Sequence, residues 1–208
     1  IRSSFTLRAM LPRPNTTRTP FWLALRLPHL ALDGFIRGQA RQDLPLAVST
    51  IVQRREVIID SNPAARKGGI KPGMPAMAAL SILDGVRIVP RQPAQEDEAL
   101  QRLAAWCYQY SSQVSIPPDR PALLLEAGAS ERLFGTPLEL GQRLERELGR
   151  LGYHAVAGSA PTPEAAWLAA GEALHISAGG NIRQQFGPLS LRCLNLQESQ
   201  QHALELMG

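Results

Sequence analysis

Hydrophobic positions along the chain change period several times, and each change marks an element. Phe21 to Leu27 is an almost unbroken apolar run with Arg26 as its one charge, which predicts a buried strand. Leu30 to Phe35, just after Pro28, predicts the start of a helix or a turn. Pro45 to Ile51 and Glu56 to Ile59 predict a second pair of strands, and residues 61–82 a helical region punctuated by Gly68, Gly69 and Pro75. Val86 to Val89 is a further short strand. From Ala94 the spacing turns helical, with Leu100, Leu103, Cys107 and Tyr110 on one face. Val114 to Ile116 and Ala122 to Glu126 predict two strands around the turn Pro117-Pro118-Asp119-Arg120.

Thr136-Pro137-Leu138-Glu139 then carries a helix start: threonine at the N-cap, proline in the first turn, and glutamate positioned to close a capping box. Leu140, Leu144, Leu148 and Leu151 share one face of that helix, which ends at Gly152. A strand over Tyr153 to Ala157 and a helix from Thr162 to about Leu174 follow. With residues 28–93 set aside, the order is strand, helix, strand, strand, helix, strand. That order belongs to a split βαβ, ferredoxin-like core with a large insertion after its first strand. The fold by itself says nothing about chemistry.

Charge adds less than it promises. The chain of 208 residues carries 22 basic and 18 acidic residues, net +4, with a pI near 9.6. Arg2, Arg8, Arg13 and Arg18 lie in residues 1–20, which hold no acid, so the body from residue 21 is neutral. Those first residues, rich in Ser, Thr and Pro, read as a disordered leader, and Met10 is a candidate natural start. An organellar transit peptide fits them less well, because prolines interrupt any amphipathic period. The most apolar stretch, Phe21 to Phe35, is interrupted by Arg26, Pro28, His29 and Asp33, which excludes a transmembrane helix.

Cys107 and Cys193 are far apart with no CxxC spacing, and His29, His154, His175 and His202 share no ligand spacing, so neither a metal nor any other cofactor is expected. Ser111, Ser112 and Ser159 lack a recognisable His/Asp partner, which argues against a hydrolase.

Four segments, in order, resemble the Y-family translesion DNA polymerases. Ala24-Leu-Arg-Leu-Pro-His-Leu-Ala-Leu-Asp33 occupies the place of that family's D-x-D-x-F-F-A-S-V-E. Asn62-Pro-Ala-Ala-Arg-Lys-Gly-Gly-Ile-Lys-Pro-Gly-Met-Pro75 is similar to N-Y-E-A-R-K-F-G-V-x-x-G-M-P and is the most specific of the four. Leu123-Leu-Leu-Glu-Ala127 stands where the family has S-I-D-E-A, and Ala157 to Ala170 where it has V-G-I-A-P-N-K-x-L-A-K-x-A-S. The resemblance implies an α/β (α+β) fold: a ferredoxin-like palm over 21–36 and 94–172, a fingers subdomain inserted at 37–93, and the start of a helical thumb over 173–208.

The departures from the family are specific. The two carboxylates of the first motif fall on Ala24 and Arg26, and the aspartate of D-E falls on Leu125, leaving Glu126 alone. The fingers tyrosine falls on Pro63, the two lysines of the last motif on Pro163 and Trp167, and the aromatic that screens the sugar on His29. Two-metal phosphoryl transfer needs several carboxylates around a pair of cations, and one carboxylate beside an arginine cannot hold them. Arg66 and Lys67 are retained as candidates for phosphate or DNA contact, although a solvated helix C-terminus accounts for them equally well. Glu126 reads either as a vestigial ligand or as a polar strand end. Trp167 is expected to fill space that a nucleotide would use.

This combination resembles the ImuB group, polymerase-like proteins with a degenerate site. The resemblance implies a bacterial, cytoplasmic, nucleoid-associated adaptor in DNA-damage-induced error-prone synthesis. Its implied partners are a sliding clamp, an ImuA-like RecA-related protein and a separate error-prone replicative-type polymerase, with contacts largely beyond residue 208, and primer-template DNA is a further candidate. Two alternatives remain open: an active polymerase with an unusual metal site, and a plain DNA-binding module.

Overall fold

The computed structural model describes residues 20–37, 44–118 and 120–176. The expected leader falls almost wholly outside them, as does most of the expected thumb.

The first strand, β1 (Trp22–Arg26), leads into α1 (Leu30–Ile36). Next come β2 (Leu46–Val52), β3 (Arg55–Ser61), α2 (Pro63–Lys67), α3 (Ala76–Ile82) and β4 (Arg87–Pro90). The long α4 (Pro93–Cys107) is followed by β5 (Val114–Ser115) and β6 (Ala122–Glu126). Then come α5 (Glu131–Phe134), α6 (Pro137–Arg150), β7 (Val156–Ala160) and α7 (Pro163–Gly171).

Two sheets result. The larger has the order β5-β6-β1-β7 with every pair antiparallel, which is the ferredoxin-like arrangement. Its inner strand β1 is apolar except for Arg26 at its end, because both faces are covered. Leu23 and Leu25 point with Leu123 and Leu125 into a core closed by Leu100, Leu103 and Cys107 of α4 and by Leu140, Leu144 and Leu148 of α6. Ala24 points the other way, with Ala122, Leu124 and Ala160, against Ala166, Trp167, Ala169 and Ala170 of α7. Large residues on one face and small ones on the other let α7 approach the sheet closely.

The smaller sheet, β3-β2-β4, lies between α1 and α4 in the chain. Ala47 and Ile58 pack on Ala65 of α2, Ile70, and Ala76 and Ala79 of α3. Leu46, Val48 and Val89 pack instead on Leu32 of α1, which ties this sheet to the first. Asn62 organises the join. Its Oδ1 accepts from Leu46 N (3.0 Å) and Ala65 N (2.9 Å), while Nδ2 donates to Leu44 O (2.7 Å).

The capping box of α6 forms as expected, with Glu139 N donating to Thr136 Oγ1 and Thr136 N to Glu139 Oε2. Among the boundaries that differ from expectation, three follow from contacts between elements. The strand expected over Tyr153 to Ala157 runs from Val156 to Ala160, because residues 153 and 154 serve α1. Arg37 stacks on the Tyr153 ring (4.0 Å) and donates to its hydroxyl, and His154 N donates to Asp33 Oδ2 at 2.8 Å. The helix expected to reach Leu174 stops at Gly171, since the chain then turns back along β7. Leu174 O accepts from Ser159 N, and Ile176 N donates to Ser159 O. Finally, β5 is only two residues long and does not include Ile116.

Candidate functional site

The residues singled out in the first and third motifs meet on β1 and β6. These strands pair Ala24 with Leu124, Leu23 with Leu125, and Trp22 with Glu126. Side chains alternate along a strand, so neighbouring positions face opposite ways. Leu125 is fully buried in the α4/α6 core, on the face opposite Ala24. The two positions therefore do not converge on one point.

Ala24 forms part of an apolar floor roofed by α7. At its edge Arg26 has its guanidinium carbon 4.5 Å from the centre of the Trp167 ring, and Arg120 lies over the same ring at 4.3 Å. Trp167 is almost completely buried. Cation–π contacts of this kind contribute roughly 0.5–2 kcal/mol each, more as they are desolvated. Trp167 packs with Ala24, Ala122, Leu124 and Ala160 of the sheet. Its two arginine partners, 141 and 47 residues away in the chain, carried no sequence signal.

Glu126 is spent on the backbone. Its Oε1 accepts from Phe21 N (3.2 Å) and Gly128 N (2.9 Å), and its Oε2 accepts from Ala129 N (3.1 Å). The carboxylate thus caps the tight turn at Gly128–Ser130 and holds it to the start of β1. A Cβ at residue 128 would lie 2.8 Å from Glu126 Oε1, so glycine there leaves room for the acid. Among the described residues no group of three or more His, Cys, Asp or Glu side chains is placed to hold a metal ion. The donor set does not fit a pair of magnesium ions, which require several oxygen ligands each.

Arg66 and Lys67 lie apart from this floor, exposed in the last turn of α2. The amides beyond them close the helix. Gly68 N bonds Ala64 O, Gly69 N bonds Arg66 O, and Ile70 N bonds Ala65 O. These three amides thus do not make the open backbone nest that an anion would need.

Three further groups were not readable from spacing. At the join of the two sheets, His29 Nδ1 pairs with Asp60 Oδ2 at 2.8 Å, and the His29 ring lies 5.2 Å from that of His154. Asp33 is buried beneath them, and desolvation pushes its carboxyl above the ordinary range, opposed by the His154 amide and the two histidines. Asp60 adds a like charge that pushes the same way as burial. Ser159, expected to lack a histidine partner, has one: its Oγ lies 3.0 Å from His175 Nδ1, because residues 174–176 return beside β7. Ser159 is only 1% exposed, so the pair is a packing contact with no access for a substrate. Burial pushes the Cys107 thiol up to about 12, which makes it inert at neutral pH.

The raised carboxyl of Asp33 carries a pH prediction. Between the ordinary value of 3.8 and its raised one the native state binds more proton than the unfolded chain, so this group's contribution to stability falls as pH rises through that window. Asp33→Asn keeps an oxygen for His154 N–H and removes the buried charge. The variant should melt at or above the parent's temperature at pH 7 and show a flatter dependence on pH from 4 to 7. Parallel melting curves for the two proteins would refute this.

Residues 38–171 match the family described as the impB/mucB/samB family. The ImuB protein of Caulobacter vibrioides is 30% identical over 142 residues, covering 67% of this chain and 31% of that protein. DNA polymerase IV of Yersinia enterocolitica is 25% identical over 143 residues, covering 65% of this chain and 40% of that protein. The chain thus spans well under half the length of these relatives. Among solved structures, DinB from Sulfolobus solfataricus aligns over 90% of this chain and 57% of its own with a TM-score of 0.68 at 19% identity. A post-insertion binary complex of Dbh DNA polymerase aligns with the same coverage, a TM-score of 0.69 and 17% identity. At those identities the likeness shows the fold.

Proposed function

The chain belongs to the impB/mucB/samB family, within the Y-family polymerase superfamily and close to ImuB, and we propose that its own role there is non-catalytic. It acts as a polymerase-like adaptor in error-prone translesion synthesis induced by DNA damage. One observation carries this reading. Where the family's carboxylates are expected, the chain has an alanine in a closed apolar floor, an arginine stacked on a tryptophan, and a leucine facing the opposite core. The one remaining acid, Glu126, is consumed by three backbone amides. A guanidinium at this place repels divalent cations, and nothing on the floor would ligate them.

In this reading the four-stranded layer over 21–36 and 94–172 is the palm and the inserted layer over 37–93 is the fingers. Contacts to a sliding clamp, an ImuA-like RecA-related protein and a separate error-prone polymerase at the bacterial nucleoid lie largely beyond residue 208. Arg66 and Lys67 are available to primer-template DNA as exposed charges.

The active-polymerase alternative is supported by the relatives named DNA polymerase IV and Dbh DNA polymerase. Primer extension separates the two. Purified protein supplied with primer-template, all four deoxynucleotides and either magnesium or manganese should incorporate nothing above background. Template-directed incorporation would overturn the adaptor reading.

A further inference from the structure

The neutral body conceals an uneven charge distribution. Residues 44–93, which hold the three-stranded sheet, carry seven basic and three acidic residues. Part of that excess lies at the end of one hairpin. Strand β2 pairs with β4 only from Leu46 to Ser49 but continues beside β3 to Val52, so residues 50–57 run on as a two-stranded ribbon. Every residue from Ile51 to Glu56 is exposed, with Ile51 at 76% and Val52 at 50%.

The tip has a defined shape. Gln53 and Arg54 both take positive φ, at 47° and 64°, which marks the two-residue turn that matches strand twist. Neither residue is one that favours this conformation, and each costs about 1–2 kcal/mol there. Ile51 stands opposite Glu56, and Val52 opposite Arg55, so each face of the ribbon presents an apolar side chain. Ser49 Oγ donates to Glu56 Oε1 at 2.6 Å, which draws the one acid of the tip back along the ribbon. Arg54 and Arg55 are left at the end.

We propose that this hairpin tip inserts into a groove of duplex DNA. A two-stranded ribbon has the width of the major groove, arginines pair with the flanking phosphates, and exposed aliphatic side chains contact base edges or wedge between steps. The tip has no aromatic side chain, which disfavours single-stranded nucleic acid held by base stacking. Two aliphatic residues without an aromatic anchor are also a poor lipid contact. An apolar side chain on each face suits a cleft better than the flat surface of a protein partner. The inference does not use the non-catalytic reading and stands or falls separately from it.

Fluorescence anisotropy with a labelled 20-base-pair duplex, titrated from 50 to 200 mM salt, tests it on the whole chain. Each phosphate contact contributes about 0.9 to the slope of log affinity against log salt. Arg54→Gln with Arg55→Gln should reduce that slope by about 2 relative to the parent. Gln53→Asn with Arg54→Gly builds the turn's preferred dipeptide, so it should keep or raise the melting temperature while reducing the slope by about 1. Ile51→Ser with Val52→Ser should weaken binding without changing the slope. Because parent and variants share residues 1–20, any contribution of that arginine-rich segment cancels.

An unchanged slope in both arginine variants, or no duplex binding by the parent, overturns the proposal and leaves the tip to a protein partner. An equal loss of affinity for a single strand of the same length overturns the groove assignment.

Discussion

Glu126→Ala is expected to destabilise the protein by about 2–4 kcal/mol, because it leaves three backbone N–H groups without their shared acceptor. The donors are Phe21, Gly128 and Ala129, and Glu126 itself is 8% exposed, so water replaces little of what is lost. Glu126→Gln retains one acceptor oxygen and should recover part of the loss. It cannot recover all of it, since its amide N–H₂ would face one of the backbone donors. The same residue read as a metal ligand makes the opposite forecast. A ligand constrained by its ion raises stability when the ion is added and costs little when removed in its absence. Thermal melts of the parent, Glu126→Gln and Glu126→Ala with and without millimolar magnesium separate the two. A loss below about 0.5 kcal/mol on alanine substitution, or a melting temperature that climbs with magnesium only in the parent, would end the structural reading.

Gly158→Ala is the second large effect. Gly158 sits in β7 opposite Ala24, under α7. A Cβ built there would fall 2.0 Å from Ala170 N, 2.4 Å from Ala170 Cα and 2.5 Å from Ala169 C. These are backbone atoms, and no rotamer change can move them. The helix must lift by more than an ångström or the strand must bend, at a cost of about 3 kcal/mol or more. Lifting α7 carries Trp167 away from Arg26 and Arg120. The variant should therefore show altered tryptophan emission as well as a lower melting temperature. A fully native melt with unchanged emission would mean that α7 does not lie as closely on β7 as described. At Gly34, by contrast, a Cβ meets nothing within 4 Å, so Gly34→Ala is the matched control.

Local devices were legible from the sequence because they depend on residues a few positions apart. Thr136 and Glu139 announce the start of α6 by their spacing, and the bonds form between those same two residues. The face Leu100, Leu103, Cys107 was readable for the same reason, and all three are in the core. Tyr110, placed on that face by period, lies beyond the helix end yet still packs against Trp106 and Phe134 at 5.2 Å. The site was half legible. The identities at residues 24, 26, 125 and 126 were plain. Which way each points was not, because an unbroken apolar run has no period to assign its faces.

The partners of those residues are all distant in sequence. Arg26, Arg120 and Trp167 come from a strand, a turn and a helix, and Asp60 reaches His29 from the inserted sheet. No spacing rule could join them, because their proximity follows from the strand order β5-β6-β1-β7 and from how closely α7 descends on it. The sequence alone therefore determined the order of elements, the caps and the poverty of carboxylates along β1 and β6. Periodicity and capping act within a turn or two of chain, and composition needs no geometry. Only the tertiary structure decided that Leu125 faces the opposite core from Ala24, that Arg26 is stacked on Trp167, and that Glu126 is occupied. Side-chain direction and hydrogen-bond partners are set by packing between elements remote in sequence, where small residues on one sheet face let a helix close over the floor.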